Sequence, residues 1–282
     1  MLPGFFLAIL MMKPGSFLRS TLFLPDSTSG QSPDYDFSVI TACKDSSATL
    51  EACIQSVAAQ ENVRVEHLIF DAESKDGSYE ILQRLSRPEL VVNVEKDGGV
   101  YEAWNKALKR VRGRWIIFLG SDDELASSTV MYEILQGMSR FPECRLFYGQ
   151  VRKETLSGEL ISFNGEPFAN YANKFDPPTR AFPPHPATFF HKSLFDDFPR
   201  FDESYKICAD SLHVGRIIAT ETPQFLDFVV TKFRVGGISN SRRHALRKWN
   251  EKLRISRTLK YRIPLFLVFR SFAASVLNKL RA

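Results

Sequence analysis

The chain has 282 residues, of which 44% are hydrophobic and 24% are charged, which is an ordinary globular balance. A chain of this length buries a large core without staples, and its four cysteines have neither a CxxC pair nor the spacing of a zinc site, which excludes small disulfide-rich and zinc-stapled folds. The net charge of +5 hides an asymmetry: residues 242–282 carry twelve Lys or Arg and one acid, whereas residues 1–241 carry a net charge of −6.

The first 35 residues differ in pattern from the rest of the chain. Residues 5–12 form an apolar run of eight residues, with no positive charge before it and no clear cleavage site after it. No run in the chain reaches the roughly 18–20 apolar residues that cross a bilayer. Residues 27–33 have the composition of a linker. We therefore expect a weakly structured N-terminal extension ahead of a folded domain.

A regular alternation of strand and helix patterns begins at Phe37. Four short apolar runs rich in β-forming residues are predicted strands: residues 37–42, 67–72, 90–95 and 114–120. Between them, apolar residues recur at helical spacing, as from Val100 to Val111. This alternation predicts an α/β fold with an open, mostly parallel sheet and helices on both faces. The pattern is looser after residue 145, with a predicted hairpin at 146–163 and a predicted helix at 209–220.

Polar residues follow the predicted strands, and right-handed crossovers bring those carboxyl ends to one edge of the sheet. Asp122 and Asp123 come directly after the fourth strand, with Glu124 next to them. Acids this close repel one another, and a bound cation relieves the repulsion. Carboxylates together with diphosphate oxygens suit Mg²⁺ or Mn²⁺. An acidic turn before the next helix is the alternative explanation.

Two other turns at strand ends carry polar groups. The turn from Asp71 to Ser78 offers a carboxylate, hydroxyls and backbone N–H groups to a nucleoside or phosphate. A capped turn into the next helix would use the same residues. After the tight turn at Gly98-Gly99, Tyr101 and Asn105 are four residues apart and share one helix face.

Seven motifs in this order resemble those of the family 2 glycosyltransferases with the GT-A fold, in particular bacterial enzymes of surface-polysaccharide assembly. They lie at Thr41, Asp71–Ser78, Asp97–Lys106, Phe118–Asp123, His185–Phe190, Phe201–Asp210 and Gly236–Ser239. Any one motif is weak, but the set covers residues 36–240 and is specific. The resemblance implies an inverting, metal-dependent transfer of a sugar from a nucleotide-diphosphate donor, with a UDP-sugar favoured. The acceptor would be a hydroxyl of a glycan or of a lipid-linked acceptor.

The resemblance also implies roles for single residues. Donor binding falls on residues of the first half, namely Thr41, Asp71, Ser74, Asp97, Tyr101, Asn105 and Asp122. Asp122 would coordinate Mg²⁺ or Mn²⁺, with Asp123 beside it. Asp210 stands where such enzymes keep the general base that deprotonates the acceptor hydroxyl, and His185 would lie near the acceptor or the diphosphate. A simple helix cap at Asp210 and a satisfied loop histidine at His185 are the alternatives.

Three positions depart from the family pattern. Gly120 replaces an Asp that often opens the metal motif, Lys44-Asp45 replaces a Tyr-Asn pair, and residues 211–213 replace an aromatic residue and a second acid. These departures keep open a second hypothesis, a nucleotide-sugar-binding scaffold without turnover that partners an active transferase. A nucleotidyltransferase ranks lower, because residues 41–45 contain no glycine and such enzymes need a glycine-rich loop there.

The expected organisation has three parts: an extension at 1–35, a transferase domain at 36–240 and a basic amphipathic helical tail at 241–282. Within the transferase domain, residues 36–125 would form the nucleotide-binding half and residues 126–240 the acceptor-binding half. In the tail, residues 245–260 predict a helix dense in Lys and Arg, and an apolar stripe follows Pro264. These features favour an anionic membrane surface as a partner over packing on the body, and no nucleic-acid motif is present. We therefore expect a cytoplasmic protein that is peripheral on the inner face of the cytoplasmic membrane.

Overall fold

The computed structural model describes residues 34–155, 157–173, 182–234 and 245–260. All of them belong to the compact unit that begins at Pro33. Three features of the sequence therefore lie outside the described residues: nearly all of the N-terminal extension, the motif Gly236–Ser239, and the apolar stripe after Pro264.

Within the described residues, nine strands form one sheet. They are β1 (Tyr35–Cys43), β2 (Val65–Asp71), β3 (Leu90–Val94), β4 (Gly113–Phe118), β5 (Asp123–Leu125), β6 (Leu146–Glu154), β7 (Leu160–Asn164), β8 (Thr188–His191) and β9 (Gln224–Arg234). Their order is β3-β2-β1-β4-β8-β6-β9-β5, and β7 pairs with β6. The first four strands are parallel, whereas β8 is antiparallel to β4 and β6, and β5 is antiparallel to β9. Parallel pairing is thus confirmed for the first half, and the second half is mixed.

The described helices lie on both faces of this sheet, as predicted. They are α1 (Leu50–Ala58), α2 (Ser78–Arg84), α3 (Val100–Leu108), α4 (Val130–Met138), α5 (Phe168–Asn173), α6 (Leu194–Asp197), α7 (Ala209–Ile217) and α8 (Ala245–Thr258), with a 3-10 turn at His185–Ala187. Successive side chains of a strand point to opposite faces. Ile40 of β1 accordingly packs with α3 and α7, whereas its neighbour Val39 packs with α1 and α4.

Helix α8 packs on the body of the domain. Its Ile255 is fully buried in the same core cluster as α7, and Leu259 lies against that cluster. A Cβ on Gly215 of α7 would lie 2.4 Å from Leu259 Cδ1, so the chain after α8 approaches α7 closely. The first helix of the predicted tail is therefore part of the core. In the described portion of the chain, no helix is both long enough and apolar enough to span a membrane.

Candidate active site

The carboxyl ends of the parallel strands bring the predicted donor residues to one edge of the sheet. Asp71, the last residue of β2, is level with Cys43 of β1 and Val94 of β3. Asp97 follows β3 by a short turn, and Gly120 follows β4. The convergence predicted from the strand–helix alternation is therefore observed.

The turn after β2 forms a hydrogen-bonded network with the loop after β1. The carboxylate of Asp71 is buried and accepts hydrogen bonds from the Ser74 backbone N–H at 3.1 Å and from the Ser74 hydroxyl. The Ser74 hydroxyl in turn accepts from the Asp45 backbone N–H at 2.8 Å. The Asp45 carboxylate accepts from the Lys75 backbone N–H at 2.9 Å. Asp45, one of the departures from the family pattern, thus fixes the turn that carries Asp71 and Ser74.

Two residues predicted to bind the donor have side chains committed elsewhere. Thr41 is fully buried, and its hydroxyl lies 2.9 Å from Nε2 of His67. The Asn105 amide donates to the Phe201 carbonyl at 3.0 Å and to the Glu203 carboxylate at 2.8 Å, and its oxygen accepts the Phe201 N–H at 2.8 Å. Both side chains are therefore engaged within the protein, and a contact with the donor at either position stays a prediction. Thr41 joins two strands inside the core, and Asn105 fixes a distant loop.

Asp97 caps the turn that leads into α3. Its carboxylate accepts the Gly99 N–H at 2.9 Å, while the Glu102 carboxylate accepts the Gly98 N–H at 2.7 Å. Gly99 has φ +132°, a conformation that other residues rarely adopt. Partial burial raises the pKa of Asp97. Asp97 therefore lies at the sheet edge, held by the start of α3.

Asp122 and Asp123 converge on the space above Gly120. A Cβ on Gly120 would lie 2.8 Å from Asp122 Oδ1 and 2.8 Å from Asp123 Oδ2. The glycine leaves room for both carboxylates, and an Asp side chain at position 120 would force them to move. Gly120 therefore gives both carboxylate groups room to approach the same space.

The two carboxylates have the chemistry of a partial cation site. Asp123 begins β5, and its buried Oδ1 has no hydrogen-bond partner among the described residues. Burial raises the pKa of Asp123 well above its usual range, with a further contribution from the charge of Asp122, and burial also raises the pKa of Asp122. Glu124, the third acid, pairs with Arg234 of β9 instead. A cation is the group that this pair of carboxylates lacks.

A metal centre built from protein side chains alone is not present in the part of the chain that the structure covers. No group of three or more His, Cys, Asp and Glu residues there is arranged to hold an ion. Mg²⁺ is commonly held by one or two carboxylates together with substrate phosphates and waters. Asp122 and Asp123 fit that incomplete arrangement, in which the donor diphosphate supplies the remaining oxygens.

Asp210 lies in the first turn of α7 and is bonded to Tyr101 of α3. The Tyr101 hydroxyl donates to Asp210 Oδ1 at 3.1 Å. Burial raises the pKa of Asp210, while the Ser211 backbone N–H and the Tyr101 hydroxyl lower it. Tyr101 is itself buried, with its ring stacked on Phe201. Tyr101, which the resemblance assigns to donor binding, is thus a hydrogen-bond partner of the predicted base.

His185 lies in an aromatic cluster behind the sheet edge. Its ring stacks on Trp104, with centroids 5.1 Å apart and planes 12° apart, and also contacts Phe118 and Phe201. Burial lowers the pKa of His185 to about 3, so the imidazole is neutral near pH 7. Its Nε2 and the Trp104 Nε1 are buried without a hydrogen-bond partner among the described residues. A neutral imidazole still offers one N–H donor and one acceptor nitrogen, so a role toward the acceptor or the diphosphate stays a prediction.

The sequence interpretation missed Glu251 of α8. This carboxylate is 4% exposed and accepts three backbone N–H groups at 2.9 to 3.0 Å, those of Lys206, Ile207 and Cys208. These residues directly precede α7, the helix that carries Asp210. The signal that could have found it was a single acid within a helix otherwise rich in cations.

Solved structures share this fold. The S. aureus TarS fragment 1–349 superposes with a TM-score of 0.61 at 17% identity, over 79% of this chain and 65% of the fragment, so the chain spans just under two thirds of that fragment. The same fragment in complex with UDP superposes with a TM-score of 0.59. The mannosyltransferase PcManGT from Pyrobaculum calidifontis, in complex with GDP-Man and Mn²⁺, gives a TM-score of 0.60 at 15% identity, over 87% of this chain and 71% of that one. The GT-A class of α/β fold is thereby confirmed.

The family follows from the sequence match. Residues 38–198 match the model of Glycosyl transferase family 2, which is more than half of the chain, so the protein belongs to that family. A PGL/p-HBAD biosynthesis glycosyltransferase of Mycobacterium bovis (strain BCG / Pasteur 1173P2) is 24% identical over 243 residues, which is 83% of this chain and 90% of the relative. The family resemblance is confirmed.

Proposed function

We propose that the protein is an inverting, metal-dependent glycosyltransferase. It moves a sugar from a nucleotide-diphosphate donor, with a UDP-sugar favoured, to a hydroxyl of a glycan or lipid-linked acceptor in surface-polysaccharide synthesis. The observation that carries this proposal is the hydrogen bond between Tyr101 and Asp210. It joins a carboxylate of raised pKa to α3, the helix that starts at the turn of Asp97.

The donor side of the site would bind the nucleotide. Asp71 and Ser74 would contact the nucleoside, and Asp97 would line the donor pocket. Asp122, with Asp123 beside it, would hold Mg²⁺ or Mn²⁺ together with diphosphate oxygens. Once bound, the cation would stabilise the negative charge on the departing nucleotide diphosphate.

Asp210 would act as the general base. A carboxylate oxygen accepts the proton of the acceptor hydroxyl while that hydroxyl oxygen forms a bond to the anomeric carbon of the donor sugar. The bond from that carbon to the diphosphate oxygen breaks on the opposite face, which inverts the configuration. The raised pKa makes the carboxylate a stronger base near neutral pH, and the Tyr101 hydroxyl holds it in one orientation.

The comparisons support the donor and the cation only by analogy. The UDP complex of TarS and the GDP-Man complex of PcManGT favour a nucleotide-linked donor, and the Mn²⁺ of PcManGT favours a divalent cation. The name of the mycobacterial relative favours a biosynthetic transferase.

A turnover assay tests this function. The full chain is incubated with UDP-, GDP- and dTDP-sugars and Mn²⁺, with and without a membrane lipid extract, and nucleotide-diphosphate release is followed. We expect release that depends on one donor and on the extract. Tight binding of a donor without turnover under any condition would instead favour the scaffold that partners an active transferase.

The position at the membrane is also a proposal. Three cations of α8 are exposed, Arg247, Arg254 and Arg257, and each cation near an anionic surface contributes roughly 1 kcal/mol. The full chain should float with vesicles that contain anionic lipid and not with neutral vesicles. A chain that ends at residue 260 should float less. Equal flotation of the two chains would contradict a role of residues 261–282 in membrane binding.

A further inference from the structure

Glu251 of α8 holds the backbone just ahead of α7, the helix that carries Asp210. Its Oε1 accepts the Lys206 N–H at 2.9 Å, and its Oε2 accepts the N–H groups of Ile207 at 3.0 Å and Cys208 at 2.9 Å. Three consecutive amides therefore converge on one buried carboxylate. Hydrogen bonds to a charged group are about twice as strong as neutral ones, so this arrangement fixes the segment firmly.

The same segment also contacts the donor side of the site. The Lys206 ammonium donates to the Gly98 carbonyl at 3.0 Å, within the turn that Asp97 caps. Cys208 is the N-cap residue of α7, and Asp210 lies in its first turn. A single carboxylate thus anchors a segment that joins the donor turn at one end to the base at the other.

Helix α8 is well suited to carry this anchor. Ile255, one turn after Glu251, is fully buried in the core beside α7, so the helix cannot shift without opening the core. Lys248 and Lys252 of α8 also interact electrostatically with Asp210. Burial lowers the pKa of Lys252, and the charge of Asp210 opposes that shift. Burial raises the pKa of Asp210, and the charge of Lys248 opposes that rise. The groups that face Asp210 are therefore Tyr101 from α3, these two lysines from α8, and the thiol of Cys208.

We propose that Glu251 is a positioning residue for the transfer reaction. By holding the amides of residues 206–208, Glu251 places Asp210 against Tyr101. It also keeps Asp210 in a fixed position relative to the turn that Asp97 caps. This inference rests on the proposed function, since it assumes that Asp210 is the base.

The test compares Glu251→Gln with Asn250→Ala, an exposed position on the same helix. Glutamine keeps the size of the side chain but loses the charge and turns an N–H₂ group toward the backbone amides. We expect kcat of the Glu251→Gln variant to fall about 10- to 100-fold, with the donor KM changed less than about threefold, because small misplacements of a reacting group have effects of this size. Asn250→Ala should behave as wild type.

The pH profile separates positioning from a folding defect. In Glu251→Gln, Asp210 loses part of its contact with the Tyr101 hydroxyl and the Ser211 N–H, which both lower its pKa. The acid limb of the kcat profile should therefore move to higher pH. A fold that is merely weakened would lower activity equally at every pH, and that result, like wild-type kcat, would overturn the inference.

Two further measurements keep the outcome decisive. If Glu251→Gln does not fold, hydrogen exchange of the wild-type chain replaces it: the amides of 206–208 should exchange as slowly as the core of β1, and fast exchange would overturn the inference. Asp210→Asn is assayed in parallel. Full activity of Asp210→Asn would overturn the proposed base and this inference with it, whereas an inactive Asp210→Asn beside a normal Glu251→Gln would overturn the inference alone.

Discussion

The proposed donor edge, formed by the strand ends with Asp71, Asp97 and Asp122, and the proposed base Asp210 are held by different kinds of contact. Asp71 is held by Ser74, its neighbour in the same turn, and it reaches the edge because β2 ends there. Asp210 is held by Tyr101, which lies 109 residues earlier in the chain, and by a backbone that Glu251 of α8 anchors. Sheet topology thus brings the residues of the donor edge together, whereas long-range side-chain contacts position Asp210.

This difference predicts that the two sides respond differently to substitution. Changes at the donor edge should alter binding of the nucleotide and the cation and leave the rest of the site intact. Changes around Asp210 should alter the chemical step and its pH dependence while donor binding is retained.

The largest effect is expected at Asp210. Asp210→Asn removes the proton acceptor but keeps the size of the side chain, so kcat should fall about 10²- to 10⁴-fold, the usual contribution of a general base. Donor affinity, measured by calorimetry with UDP and Mn²⁺, should stay within about threefold, because a proton acceptor contributes to the chemical step and not to uniform binding. Asp196→Asn, an exposed acid of α6, is the control. Loss of nucleotide binding in Asp210→Asn would contradict the separation of the two sides.

A smaller effect is expected at Asp122, which belongs to the donor edge. Asp122→Asn should lower turnover about 100-fold, because a cation supplies several kcal/mol of charge stabilisation. The thermal stabilisation that UDP gives in the presence of Mn²⁺ should shrink as well. Glu124→Gln is the matched control, since Glu124 is the neighbouring acid that pairs with Arg234 instead. An identical Mn²⁺ response in wild type and Asp122→Asn would exclude Asp122 as a ligand.

Tyr101→Phe tests the long-range contact itself. The hydroxyl lowers the pKa of Asp210, so its removal raises that pKa further, and a larger fraction of the base is protonated at a given acidic pH. Activity requires the deprotonated base and rises with pH through this pKa. We expect a loss of about tenfold at the acid end of the profile and a smaller loss at the alkaline end, since a hydrogen bond to a charged group contributes about 1.5–3 kcal/mol. An unshifted acid limb would show that Tyr101 does not tune the base.

The same difference explains how much the sequence could predict. Strand ends and their acids follow from local pattern, because the alternation of strands and helices alone places Asp71, Asp97 and Asp122 at one edge. β5 was missed because it has only three residues and is held by pairing with β9, more than a hundred residues later. No local pattern encodes such a pairing.

For the residues around Asp210, the sequence predicted their positions in the fold better than their roles. Asp210 was identified only by the family resemblance, since an acid before a helix is equally a cap. Tyr101 and Asn105 were correctly placed on one face of α3, yet that face meets the segment from Phe201 to Asp210. Helical spacing shows which residues share a face, but it does not show what the face contacts.

The smallest effect on chemistry, and the clearest effect on stability, is expected at Asn105. Asn105→Ala removes three hydrogen bonds and leaves the N–H and C=O of Phe201 without these partners. Unsatisfied groups of this kind cost about 1–3 kcal/mol each when buried, so the free energy of unfolding should fall by about 2 kcal/mol.

The donor KM separates the two roles of Asn105. If the residue only fixes the loop at Phe201, donor KM should stay near the wild-type value while urea unfolding shifts to a lower midpoint. Asn250→Ala, an exposed helical asparagine of α8, should change neither quantity. A raised donor KM with unchanged stability would support the donor-binding role that the resemblance implied. Asn105 would then belong to the donor-binding residues and not to the contacts that position Asp210, because its amide would have to release Phe201 when the nucleotide binds.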